Sequence, residues 1–166
     1  MTTRPLNVLF LCTHNSARSI LAEAALNLLG AGRFRAWSAG SSPRENQQPN
    51  PLALEVLREA GMSTEGLRSK SWDEFGGEQA HTMDLIITVC GNAAGEVCPY
   101  LPGHPATAHW GFADPSLVQG TPEQKREAFR QTLRAISQRL QRLTALPEEA
   151  LEPPRLQAAA RELASS

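Results

Sequence analysis

An α/β fold built on a parallel sheet is predicted by three observations: short apolar runs that do not alternate, helical stripes between and after them, and Gly, Pro and Asn at the joints. Leu6–Leu11 is a β-rich run interrupted only by Asn7, the pattern of a strand covered on both faces. Ser19–Leu29 then places Ile20, Leu21, Ala24, Ala25, Leu28 and Leu29 at helical spacing, with Gly30 as a C-terminal stop. Phe34–Ser38 is a second strand, followed by a polar loop to Asn50. Asn50-Pro51 supplies an N-cap and a first-turn proline for a helix carrying Leu52, Leu54, Val56 and Leu57 and ending at Gly61. Asp84–Cys90 is the other continuous apolar run, and Ala106–Trp110 is a weaker fourth strand. Strands separated by helices return through right-handed crossovers, which makes the sheet parallel.

From Thr121-Pro122 a long helix begins. Gln124 completes a capping box, and Phe129, Leu133, Ile136, Leu140 and Leu143 form one stripe. Burial contributes about 1.5–3 kcal/mol for each such side chain, so this helix belongs to the core. Beyond Leu146 only Leu156, Ala160 and Leu163 remain as a thin stripe among Pro, Glu and Ala. The expected organisation is one domain over 1–146 and a loosely docked tail over 147–166.

Composition narrows the function. With 16 basic and 17 acidic side chains the 166-residue chain has a net charge of −1, which lacks the basic footprint of a duplex-binding protein. No apolar run approaches the ~20 residues that cross a bilayer, and Leu6–Leu11 is too short for a signal-peptide core. A cytoplasmic monomer is expected, without nucleic-acid or membrane partners. Three cysteines, an odd number, then point to catalytic or redox thiols rather than structural disulfides.

The most informative stretch is Cys12-Thr13-His14-Asn15-Ser16-Ala17-Arg18-Ser19, the turn between the first strand and its helix. The spacing C-x5-R alone is weak; its setting is what matters. Loop amides and the positive end of the helix dipole converge there on one point, a ready site for a tetrahedral oxyanion. Arg18 adds a planar fork for two of its oxygens. The same field favours the thiolate of Cys12, which is the nucleophilic form. Ser19 is placed to donate to that sulfur, and Asn15 tolerates the left-handed backbone that a tight cradle needs. A zinc site from Cys90, Cys98, His104 and His109 does not match the close-paired spacing of structural zinc, and no metal or bound cofactor is expected.

The run C-x-x-N-S-x-R-S with Ala22-Glu23, and Trp37-Ser38-Ala39-Gly40 after the next strand, resembles the low-molecular-weight tyrosine phosphatase superfamily. Thr88-Val-Cys90, Cys98-Pro99 and His109-Trp-Gly-Phe-Ala-Asp-Pro115 make it similar, more narrowly, to the thioredoxin-coupled arsenate reductases of that superfamily. The resemblance runs from about Val8 to about Leu143 and implies a three-layer sandwich, a four-stranded parallel sheet flanked by helices. It implies that residues 13–19 bind the oxyanion, that Cys12 attacks arsenic, and that Asp114 protonates the departing oxygen. Cys90 then attacks Cys12, and Cys98 moves the disulfide to the pair Cys90–Cys98, where thioredoxin reduces it.

Some relatives hold potassium behind the loop with residues matching Asn15, Glu23, Ser38 and an acid. Here Lys70 stands at the acid's place, so an ammonium is expected to fill the cation's position against Glu23. Two other functions remain open at this point: a low-molecular-weight tyrosine phosphatase, and a redox-sensing oxyanion module. Against the phosphatase, Ser116 follows Asp114-Pro115 where those enzymes keep an aromatic residue.

Overall fold

The computed structural model describes residues 5–12, 14–40, 45–71, 83–89, 106–152 and 155–164. Strand β1 (Leu6–Cys12) pairs in parallel with β2 (Phe34–Gly40), from Leu6↔Phe34 to Cys12↔Gly40. On its other side it pairs with β3 (Leu85–Thr88), from Val8↔Leu85 to Leu11↔Thr88, and β4 (Ala106–His109) extends the sheet beyond β3. The order is β2-β1-β3-β4, and every pairing is parallel, the orientation that the sequence predicts. Central β1 buries successive residues Val8, Leu9, Phe10 and Leu11, which explains a run with no polar alternation. The chain leaves β1 toward β2 and later returns to the opposite side at β3. That reversal opens a crevice beyond the carboxyl ends of β1 and β3, the place where such sheets bind ligands.

Helix α1 (Arg18–Leu29) packs on β1 and β2 and ends at Gly30. Gly30 has an ordinary φ of −103°, so left-handed freedom is not the reason for glycine. A Cβ there would lie 2.9 Å from Phe34 Cβ and 3.1 Å from Leu26 Cδ1, and only glycine lets the helix end meet the start of β2. Helix α2 (Pro51–Glu59) is capped by the Asn50 side chain, which accepts from Leu52 N at 2.9 Å. It buries Ala53, Val56 and Leu57, leaving Leu54 partly exposed.

Helix α3 (Pro122–Thr144) starts with the predicted capping box and buries its whole predicted stripe against α1 and α2. Arg33 closes its far end, donating to the carbonyls of Thr144 (2.6 Å) and Leu146 (2.9 Å). Among the described residues no helix is long and apolar enough to cross a membrane.

The end of the chain departs from expectation. A 3-10 turn (Glu148–Leu151) leads to helix α4 (Arg155–Leu163), which lies along β4 and buries Leu156 and Ala160 completely or nearly so. β4 is an edge strand whose Thr107 backbone faces away from β3. Gln157 Oε1 accepts from Thr107 N at 3.0 Å, and Arg161 Nε donates to Thr107 O at 2.9 Å. Helix α4 therefore docks through side chains that imitate a neighbouring strand, and a search for apolar stripes does not register such contacts. If α4 unfolds with the rest of the domain, Leu156→Ala costs about 2–4 kcal/mol in urea denaturation with one transition retained. A loss below ~0.5 kcal/mol would mean that the helix is not part of the cooperative unit.

Candidate active site

Cys12 ends β1 as a buried thiol, 5% exposed, at the mouth of the crevice. The loop after it turns through Asn15, whose φ of +57° is left-handed. For a residue other than glycine this conformation is uncommon, and it persists where surroundings over-determine it. They do so here. The fully buried Asn15 donates from Nδ2 to Ser19 Oγ (2.8 Å) and Ser38 Oγ (3.0 Å), and its Oδ1 accepts from Lys70 N (2.9 Å). Its carbonyl accepts from Ser69 Oγ at 2.5 Å, and the next carbonyl, of Ser16, accepts from Asn50 N at 2.8 Å. Because Ser19 Oγ accepts from Asn15, its hydroxyl hydrogen is left to donate elsewhere.

Helix α1 then starts at Arg18 with Ala17 as its N-cap and no side-chain cap. The amides of its first turn have no side-chain acceptor of the kind that caps α2 and α3. Arg18 reaches across the crevice: NH1 donates to Phe112 O at 2.9 Å and NH2 lies 3.3 Å from Asp114 Oδ2. Its Nε is buried and has no hydrogen-bond partner among the described residues. Helix amides without a side-chain cap and a buried guanidinium nitrogen without a partner among the described residues are the features that an oxyanion would satisfy. Asp114 itself caps the 3-10 turn Pro115–Leu117. Its Oδ1 accepts from Ser116 N (2.9 Å) and Ser116 Oγ (2.7 Å), leaving Oδ2 as the oxygen turned to Arg18.

Behind the loop, Ser38 Oγ donates to Glu23 Oε1, and Lys70 Nζ sits 3.9 Å from the same oxygen. The two side chains are 12% and 7% exposed. Lys70 Nζ also donates to Arg68 O at 3.0 Å. Burial pushes the Glu23 carboxyl above its ordinary range; Lys70, the Ser38 hydrogen bond and Arg68 partly pull it back.

Of the residues singled out in the sequence, Cys12, His14, Asn15, Ser16, Ala17, Arg18, Ser19, Glu23, Ser38, Lys70 and Asp114 fall within this one region or its backing. Thr13, Cys90 and Cys98 lie outside the described residues. Two contributors carry no sequence signal, the Phe112 carbonyl and the Ser69 hydroxyl, since a backbone oxygen has no residue type and a serine on a loop is ordinary. A polar depression of about 420 Å³ adjoins the site along Ser16 and residues 45–51. A further one of about 300 Å³, between α2 and α3, holds none of the candidate residues.

This combination, a thiol at a strand end, an anion-binding helix start and an Arg–Asp pair across the crevice, defines a class of enzymes that attack tetrahedral oxyanions with cysteine. Residues 7–153 match the family of low molecular weight phosphotyrosine protein phosphatases. The arsenate reductase of Bacillus licheniformis is 37% identical over 135 residues, covering 81% of this chain and 92% of that protein. Among solved structures, an arsenate reductase from Archaeoglobus fulgidus superposes with a TM-score of 0.63 at 28% identity, over 84% of this chain and 99% of that one. A thioredoxin-dependent arsenate reductase of Corynebacterium glutamicum gives 0.54 at 26% identity, over 85% of this chain and 64% of that one. The chain belongs to the low molecular weight phosphotyrosine protein phosphatase family, on its arsenate reductase branch.

The Glu23–Lys70 pair yields a test with a definite sign. A carboxyl whose folded pKa is raised contributes its stabilisation below the unfolded value, and loses it as pH rises through the folded one. Removing Lys70 raises the Glu23 pKa further and takes away the cation that most favours the buried carboxylate. Lys70→Met is therefore expected to cost about 3 kcal/mol at pH 7, the low end for breaking a buried pair because the contact is long. The cost should shrink toward pH 4, where Glu23 is protonated. Urea denaturation at both pH values measures this, and a penalty independent of pH would overturn it.

Proposed function

We propose that this protein is an arsenate reductase that works by a cysteine relay and is regenerated by thioredoxin. The observation that carries the reading is Cys12 beside an uncapped helix start with Arg18 Nε buried and unpartnered. Arsenate enters with its oxygens on the loop amides of residues 13–19 and on Arg18. The Cys12 thiolate, receiving a hydrogen bond from Ser19, attacks arsenic. An oxygen leaves as water after Asp114 supplies a proton from the side facing Arg18. Ser116 holds the other Asp114 oxygen, so the carboxyl keeps its orientation through this step.

Arsenic is still pentavalent in this adduct. The Cys90 thiolate then attacks the Cys12 sulfur; a disulfide forms between them, the S–As bond breaks, and its electron pair goes to arsenic, which leaves as arsenite. Cys98 attacks Cys90, releases Cys12 as thiolate and leaves a Cys90–Cys98 disulfide for the thioredoxin dithiol to reduce. A tyrosine phosphatase of the same fold needs only the first cysteine and a water. Three thiols, and Ser116 in place of an aromatic wall, favour the reductase.

The deciding measurement is arsenate-dependent NADPH consumption with thioredoxin and its reductase. Cys12→Ser, Cys90→Ser and Cys98→Ser should each abolish multiple turnover. If the Cys90 and Cys98 variants turn over like the parent, the relay is wrong; if they keep only phosphatase activity while the parent reduces no arsenate, the protein is a phosphatase. With Lys70 in the cation's place, turnover should be the same in potassium as in sodium, and several-fold stimulation by potassium would refute that role.

A further inference from the structure

The segment Trp110–Asp114 delivers two groups to Arg18, the Phe112 carbonyl and the Asp114 carboxylate. Its own ties to the sheet are few: Trp110 N donates to Thr88 O at 2.7 Å, and Phe112 N to Val89 O at 3.3 Å, with Gly111 between them. A second hold comes from α3. The Arg139 guanidinium carbon lies 4.8 Å from the Phe112 ring centre and 5.7 Å from that of Trp110. Trp110 is wholly buried, and its indole Nε1 donates to Ala160 O of α4 at 2.8 Å, which fixes the ring from the other direction.

An arginine is an expensive choice for this position. It borders the buried stripe, whose nearby members Ile136, Leu140 and Leu143 are aliphatic, and partial burial pulls the Arg139 guanidinium below its ordinary pKa. An aliphatic chain would fill the space without that desolvation. A planar cation adds orientation, because its attraction holds only over an aromatic face.

We propose that Arg139 is a positioning residue: by stacking on Phe112 and Trp110 it holds the Phe112 carbonyl and Asp114 against Arg18, with α4 as the backing. The effect on turnover rests on the reductase reading above. The effect on anion binding does not.

The test uses the full chain with Arg139→Gln, and Arg134→Gln, an exposed position on the same helix, as control. Calorimetry with inorganic phosphate reads the Arg18 clamp directly. Arg139→Gln should weaken phosphate about fivefold and lower kcat for arsenate about tenfold, with KM changed less than about threefold. Arg134→Gln should match the parent in both. Combined with Asp114→Asn, Arg139→Gln should slow turnover no more than about twofold beyond Asp114→Asn alone, since both damage one step.

If Arg139→Gln binds phosphate and turns over within about twofold of the parent, or if its loss multiplies with that of Asp114→Asn, the proposal fails. Phe112→Leu, which removes the ring and keeps the carbonyl, must give the same readings should Arg139→Gln fold poorly. A parent that binds phosphate, reduces no arsenate and loses phosphate affinity with Arg139→Gln refutes the reductase reading and leaves the brace standing.

Discussion

The left-handed turn at Asn15 is the constraint on which the site depends. It falls in the short stretch that joins Cys12 at the end of β1 to Arg18 at the start of α1. Hydrogen bonds to Ser19, Ser38, Ser69 and Lys70 hold it, and they come from three separate parts of the chain. The cradle therefore forms only when α1, β2 and the segment 69–70 are in place. Its shape is a property of the whole domain rather than of an eight-residue motif. The buried Glu23–Lys70 pair stands one layer further back. It keeps a charged side chain beneath the loop without leaving a net charge there, and the positive field at the anion site arises from the helix start and Arg18.

Much of this was legible in the sequence, for identifiable reasons. The strands show because β1 and β3 are covered on both faces, which forbids alternation. The long helix shows because its cap and stripe agree in phase. Asn15 and Arg18 stand out because a turn that needs a left-handed residue and an anion that needs a fork select those residue types. Other features left no trace. Gly30 reads as a helix stop, yet its reason is the closeness of Phe34, a contact between elements. The predicted strand to Cys90 is shorter, ending at Thr88, where pairing with β1 stops at Leu11. Helix α4 looked thin because its binding groups are Gln157, Arg161 and a backbone carbonyl, none of which carries apolar periodicity. The Phe112 carbonyl is invisible in principle, since every residue has one.

Chemistry at the crevice and architecture at its rim are joined by Trp110. The residue lies between β3, whose Thr88 carbonyl holds its backbone, and two helices, which hold its ring. From there the chain runs in four residues to Asp114, so the distance between Arg18 and Asp114 depends on packing at the base of that segment. The two walls of the site come from distant parts of the sequence. They meet because β1 and β3 are neighbours at the point where the strand order reverses.

The side chains that close the outer edge of β4 carry a consequence for the protein in crowded solution. An open edge strand offers unpaired amides and carbonyls to any passing chain and templates β-sheet aggregation. Gln157 and Arg161 occupy the Thr107 positions, and the guanidinium also donates to Thr107 Oγ1 at 3.2 Å, so an incoming strand would have to displace a charged side chain to pair there. Loss of α4 would thus leave a protein with its Cys12–Arg18 loop intact in sequence and its sheet open to self-association, which links this helix to colloidal stability rather than to chemistry.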